Sequence, residues 1–381
     1  MYDSWATEES GHGAVREVHD ASLRGRIASL AALATLLLLL FAWRIGTGEY
    51  SIGFLEVWST IADHLAGSVG TDAVDRMNDN VVWNQRMPRV LTAVIAGAGL
   101  AVAGASMQSL MKNPLADAYT TGISSGALFG ATLTMTMGFT LVEGYYGRVL
   151  NAFVFAMVPA ALIAAISRWR RPSPAMMILV GIAVMYIFNA FQSYMMLRAD
   201  PNSASSVYTW SVGSIGMTTW EQLPLIAAVA VLGSALLMLM SRVLNAMNAG
   251  DEYASSLGIS VDAMRVVCLA AISFVAAGIV SFTGVIGFIG LVSPHIARML
   301  VGADNRILLP ASALLGACLM LACDIVGFLI MGATLQIGVV TAMIGGPLFM
   351  AILLVRKGEV WRCCWPRIWG CRMGTSAYGT A

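Results

Sequence analysis

Long apolar runs separated by short polar and basic breaks dominate this chain, and the first of them, residues 27–43, contains no charged residue. About 20 such residues in a helix cross the hydrocarbon layer of a bilayer. Nine further runs follow, near residues 88–111, 118–139, 149–167, 175–197, 222–242, 266–284, 286–301, 308–330 and 337–355. The run at 286–301 is the shortest and holds Pro294. The pattern predicts an all-α polytopic membrane protein of about ten transmembrane helices. The first run is expected to stay in the protein, because about 25 mostly polar residues precede it and no small-residue cleavage site follows it.

Composition agrees: 58% of the residues are hydrophobic and only 11% charged, against about a quarter charged in soluble domains. Such a chain must keep most of its surface in lipid. The placement of the 22 Lys and Arg residues sets an orientation. With the N-terminus inside, ten spans leave only Arg44, Arg76, Arg86, Arg89, Arg148 and Arg198 outside, and the other 16 fall in the cytoplasm. The expectation is a multi-pass protein of the cell membrane with both termini cytoplasmic. It divides into a cytoplasmic extension at 1–24, a ten-helix domain at 25–357 and a cytoplasmic tail at 358–381. A formal net charge of +1 gives no reason to expect a nucleic-acid partner.

Cys268, Cys318 and Cys323 lie inside apolar runs, while Cys363, Cys364 and Cys371 lie in the tail, which this orientation places in the reducing cytosol. The tail cluster has no histidine near it, so a reduced tail is preferred over a metal site or palmitoylation. There is no HExxH, no paired-acid run of the prenyltransferase kind and no GxxxxGK[ST] phosphate loop. The chain is therefore expected to hold no metal or cofactor and no ATP of its own. Energy must come from another subunit, unless the protein is a secondary carrier driven by an ion gradient.

The sequence echoes itself. AVAG ending at Gly104 precedes Pro114 by ten residues, and SFTG ending at Gly284 precedes Pro294 by ten; ALFGATL at 127–133 returns as ALLGACL at 313–319. Shared helix composition explains such matches too, but their order favours an inverted repeat of about five helices, with halves near 27–200 and 220–355. Inverted repeats are common in transporters, with the substrate path between them. Gly122, Gly126 and Gly130 recur every four residues and form a close-packing stripe. The same segment, GISSGA, superficially resembles the serine motif of rhomboid proteases. The one histidine inside a run is His295, and the repeat sets Ser124 and His295 toward different ends of the bilayer, which disfavours a catalytic dyad.

Three blocks resemble the FecCD family, the permeases of ABC importers for ferric siderophores, haem and vitamin B12. They are NQRMPRVLTAVIAGAGLAVAGASMQSLMKNPLAD at 84–117, GDEYASSLG at 250–258 and TGVIGFIGLVSPHIARMLVGADNRILLP at 283–310. CDIVGF and IGVVTAMIGGPLF follow in order, so the resemblance covers about residues 25–357. It implies a permease working as a homodimer or near-identical heterodimer. Its partners would be two ABC ATPase subunits that carry ATP and Mg, and an extracytoplasmic substrate-binding protein.

The residues have their own reading beside the resemblance. Asp251 and Glu252 suit the first turn of a short helix, and Gly258 suits a left-handed C-terminal cap. Ala254, Ser255 and Ser256 would let a partner approach closely. An ordinary interfacial helix fits equally well. The resemblance makes the segment, within 243–264, the coupling element to the ATPase, with Gly250, Asp251, Glu252, Ala254, Ser255, Leu257 and Gly258 as its residues. Family members often carry Arg where this chain has Ser255. Arg86 and Arg89, three apart, would share a helix face and serve as lipid anchors or, by resemblance, dock the binding protein. A further Arg usually follows the Asp of the ninth span by four residues, and this chain has Phe328 there. Without that partner, Asp324 is expected to be neutral or close to the outer interface. Asn113, Pro114 and Leu115 break the helix in a turn, which by resemblance acts as a cytoplasmic gate, together with the RPSPA segment at 171–175. Gln108, Asn189 and Gln192 are candidates for a polar translocation path, or for interhelical hydrogen bonds.

Overall fold

A computed structural model describes residues 4–68, 70, 72–118, 121–169, 174–331 and 335–355. The predicted tail at 358–381, with its three cysteines, and most of the RPSPA segment lie outside them. In chain order the elements are α1 (Ser4–Gly46), α2 (Phe54–Ala66), α3 (Ala73–Asp79), a π-helical stretch (Asn80–Arg86) running into α4 (Met87–Leu110), α5 (Ile123–Met137), α6 (Tyr145–Trp169), α7 (Pro174–Met196), α8 (Pro201–Ser211), α9 (Leu223–Leu239), α10 (Ser241–Ala249), α11 (Asp251–Ser256), α12 (Val261–Thr283), α13 (Ile289–Val301), α14 (Asn305–Met331) and α15 (Ile337–Val355).

The ten predicted runs fall on α1, α4, α5, α6, α7, α9, α12, α13, α14 and α15. Among the described residues six helices are long and apolar enough to cross a bilayer, and a seventh if α9 and α10, bent by 53°, count as one span. The others are shorter: α13, at 13 residues, is about 20 Å long against a hydrocarbon layer of about 30 Å. Shortness in these helices is linked to irregular backbone between them.

The centre of the bundle is α4 against α14. A Cβ added at Gly97 would meet the Gly316 carbonyl, and one at Gly316 the Gly97 carbonyl, so the two backbones touch. Gly104 likewise lies against the backbone of Gly290 on α13. The predicted glycine stripe does pack closely, but on two neighbours: Gly126 and Gly130 lie on the α6 backbone at Phe155 and Asn151, whereas Gly122, at φ +83°, faces Gly181 on α7. Without a hydrophobic driving force inside lipid, such small-residue contacts are what hold helices together.

The two sequence echoes fall differently. AVAG lies within α4, the second span, and SFTG closes α12, the seventh. ALFGATL is on α5, the third, but ALLGACL is on α14, the ninth. That second pair is six spans apart and lends no support to a five-span unit.

Candidate translocation and coupling sites

One end of the bundle carries α11. At Gly250 the chain turns from α10 to α11 with φ +147°, a conformation open to glycine. Gly258, at φ +80°, ends the helix, and Ile259 N–H donates to the Ala254 carbonyl while Gly258 N–H donates to Ser255. The predicted left-handed cap is present. Asp251 accepts from Lys112 Nζ and from Arg265 Nη2, each at 2.9 Å. Burial pushes its carboxyl up, but these two cations pull it down further, and it ends below the ordinary carboxylate value.

Lys112 reaches Asp251 from a backbone at φ +49°, immediately before the predicted turn. There Asn113 Oδ1 accepts from Leu115 N–H, and Ala116 N–H donates to the Asn113 carbonyl. Pro114 follows as the residue that cannot continue a helix. A second tie joins this end: Ser109 donates to Asn305 Oδ1 at 2.9 Å, Asn305 Nδ2 donates to Asn245 Oδ1 at 2.8 Å, and Asn245 Nδ2 donates to Asp304 at 2.6 Å. The α10–α11 corner is thus fastened to α4 and to the start of α14.

One predicted feature of α11 needs correction. Ala254 is fully buried in the chain's own core and offers no face to a partner. The exposed residues are Glu252, Tyr253, Ser255, Ser256 and Leu257.

At the opposite end, α1, α4 and α14 meet in a buried ionic cluster. Asp324 is 1% exposed and accepts from Arg44 Nε and from Arg89 Nη2, the latter at 2.6 Å. The Arg44 guanidinium also lies 5.5 Å from the Phe328 ring centroid. Asp324 is therefore not unpartnered, although the cation expected at position 328 is absent. An arginine from the first span supplies the charge that Phe328 does not, and a buried carboxylate persists only with such pairing. Arg86 departs from expectation too. It is buried, and donates to the carbonyls of Ile45 and Tyr50, so it presents no charge at the surface. The π-helical stretch ends at Arg86, and the two arginines take partners on different elements rather than sharing a docking face.

Between the ends lies a place where four breaks in helical structure converge. After α7, α8 returns into the bundle for 11 residues, about 16 Å, and its end packs on the turn after α12. Ser214 N–H donates to the Thr283 carbonyl, and Gly338 N–H, at the start of α15, reaches the Gly213 carbonyl at 3.4 Å. Phe288 sits at φ +67° before α13, and Gly345 leaves space for its ring. A cavity of about 540 Å³ opens here, bordered by Asp117, Ser211, Val212, Phe288, Gly338 and Met343 among others. Non-helical backbone at membrane depth survives only where protein buries it or where it lines a cavity. Broken helices around a central cavity are how transporters build substrate paths.

The predicted path residues divide. Gln108 is buried and donates to the Leu291 carbonyl at 3.3 Å, as an interhelical tie. Asn189 is exposed and Gln192 half-buried on α7. Ser124 is on α5, which packs on α6, α7, α8 and α12, while His295 is on α13, which packs on α1, α4, α14 and α15. They belong to separate parts of the bundle. Sequence reasoning missed the role of Arg44, which entered only the count of outside basic residues, and the α8 re-entry. The in-span carboxylate was the signal that a cation had to come from elsewhere.

These features define a multi-pass helical transporter with a broken-helix path and a short helix–turn element at one end. The chain belongs to the FecCD transport family, whose model matches residues 36–356. It is 37% identical over 347 residues to the hemin transport system permease protein of Yersinia pestis, covering 88% of this chain and 99% of that one. It is 36% identical to the cobalamin import system permease protein of Halobacterium salinarum, covering 73% and 74%. A solved structure described as an inward-facing metal-chelate type ABC transporter superposes with a TM-score of 0.75 at 31% identity, covering 86% of this chain and 98% of that one.

Proposed function

We propose that this chain is the membrane-spanning permease subunit of an ABC importer for a metal chelate of the iron-siderophore, haem or cobalamin class. The observation that carries the reading is α11: a short exposed helix, held by Lys112 and Arg265 on Asp251, fastened to α4 and α14, in a chain of this family. Two ATPase subunits would dock on Glu252, Tyr253, Ser255 and Leu257 and supply ATP and Mg. The turn at Asn113, Pro114 and Leu115, joined to α11 through Lys112, would act as the gate that this docking moves.

A second copy of the chain is proposed against α7. The exposed residues of α1 around the bilayer are apolar, among them Leu38, Leu39 and Trp43, as lipid requires. On α7, Asn189 and Ser193 are exposed beside Tyr186, Phe191 and Tyr194. Polar groups there favour a partner helix or a wet path over lipid. A substrate-binding protein would dock at the end bearing α2, with Arg89, which is partly exposed, as the residue to test. Cytoplasmic termini follow from the charge count.

The test is affinity purification of the tagged chain from native membranes. An ABC ATPase should accompany it, and Tyr253→Asp with Leu257→Asp should abolish that association while leaving the chain in the membrane. Retention of the ATPase by the double variant would overturn the docking assignment.

A further inference from the structure

At the bundle end that carries the Asp324 cluster, α2 packs Val57 and Ile61 onto Ile45, Ile52 and Val82. His64, one turn beyond Ile61, sits at the rim of that core with its side chain 30% exposed. Its Nδ1 lies 2.6 Å from Asp79 Oδ1, at the last residue of α3. A carboxylate only accepts, so Nδ1 carries the hydrogen, and the neutral ring keeps its lone pair on Nε2. Among the described residues Nε2 has no hydrogen-bond partner, and it is not enclosed by the core. The ring is held on its face as well. Trp83 stacks on it with centroids 4.0 Å apart and planes 23° apart, and Trp220 stacks on Trp83 at 5.1 Å. Trp220 Nε1 donates to the Trp83 carbonyl at 2.7 Å, so the stack runs from α2 across the π-helical stretch to the turn before α9. Leu65, beside His64, is exposed and apolar.

An imidazole with one nitrogen fixed by a carboxylate and the other free is how proteins present a metal ligand, because the carboxylate sets the tautomer and the ring orientation. A bare ion would need several such ligands, and among the described residues no three His, Cys, Asp or Glu side chains are grouped to supply them. A metal in a planar macrocycle brings its equatorial ligands with it and lacks only an axial donor. We propose that His64 Nε2 is an axial ligand for the metal of a planar macrocyclic chelate, a haem or a corrinoid, arriving at the end that bears α2. One bond forms, from Nε2 to the metal, and a water ligand leaves. The hydrogen on Nδ1 stays with Asp79, and no electron is transferred. The inference rests on the permease reading for the class of ligand and narrows it: a siderophore that fills every position of its iron leaves no place for His64.

The test titrates the full chain in lipid nanodiscs with hemin and, separately, with aquocobalamin, reading the visible spectrum of the wild type against that of His64→Gln. One of the two should give a saturable spectrum of imidazole ligation that His64→Gln lacks, and the one that responds names the macrocycle. Asp79→Asn keeps an acceptor but loses the charge. It should weaken binding about tenfold and, for haem, lower the iron–histidine stretching frequency of the reduced complex, which a purely structural tie between α2 and α3 would leave unmoved. Ferrioxamine B, a siderophore that saturates its iron, should give no response. Imidazole ligation of neither macrocycle, or equal spectra from the wild type and well-folded His64→Gln, would overturn the proposal. Metal-free protoporphyrin binding as tightly as hemin would overturn it too, since apolar partition would then account for the binding. No ATPase takes part, so failure here would leave ATP-driven uptake of another chelate intact, and failure of uptake would leave the ligand standing.

Discussion

Lys112 Nζ and the Asp251 carboxylate lie 2.9 Å apart although 139 residues separate them in sequence. The pair joins the turn after α4 to the first residue of α11. The carboxylate is 44% exposed and Lys112 31%, whereas Arg265 is only 4% exposed. Lys112→Met should therefore cost within about 1 kcal/mol of stability. Asp251→Asn should cost more, about 1–3 kcal/mol, because buried Arg265 loses its nearer carboxylate and keeps only the longer contact to Asp262 at 3.8 Å among its charged acceptors in salt-bridge range. Thermal unfolding in detergent measures both, and a larger loss for Lys112→Met would contradict the geometry.

The same carboxylate gives a pH dependence. Its folded pKa is depressed, so the tie is at full strength above the unfolded carboxylate value of about 4 and is lost as pH falls through the folded value. Between about pH 5 and 8 the wild type and Asp251→Asn should differ by a constant amount, and below about pH 4 the difference should shrink. A gap that widened on acidification would show the sign to be wrong.

Ala254→Trp separates the two views of α11. A residue on a docking face would tolerate a bulky ring in the isolated chain, but Ala254 is fully buried. The variant should lose about 1–3 kcal/mol or more and accumulate poorly, before any partner is involved. Normal expression and melting would place Ala254 back on the surface.

At the other end, Asp324→Asn leaves Arg44 and Arg89 buried without their carboxylate, and should destabilise the chain by about 3–5 kcal/mol. Combining it with Arg44→Met should recover part of that loss, a coupling that a double-mutant cycle reads directly. Additive losses would mean that Arg44 and Asp324 do not act as a pair.

Much of this was legible in the sequence because lipid is a demanding solvent. All ten apolar runs became helices, Gly258 took the left-handed cap, and Asn113 with Pro114 made the turn. What escaped was tertiary. Helical spacing put Arg86 and Arg89 together, but a π-helical stretch and two different sets of partners separate them. Asp324 looked unpartnered because its cation, Arg44, is 280 residues away. The α8 re-entry, rich in Ser and polar for a membrane segment, has no apolar period to announce it. Ala254 shows the same limit on a smaller scale: in a six-residue helix, composition does not tell which side faces the core.

On the proposed reading, ATP bound to a partner docked on α11 drives transport through this chain. The most direct test is uptake of radiolabelled iron citrate, haem and cobalamin into proteoliposomes that hold the chain with its co-purified ATPase and binding protein. ATP on the ATPase side should drive uptake of one of these chelates, and Leu257→Asp with Tyr253→Asp should abolish it. Uptake driven by a proton or sodium gradient without ATP, and unchanged in that double variant, would contradict the account.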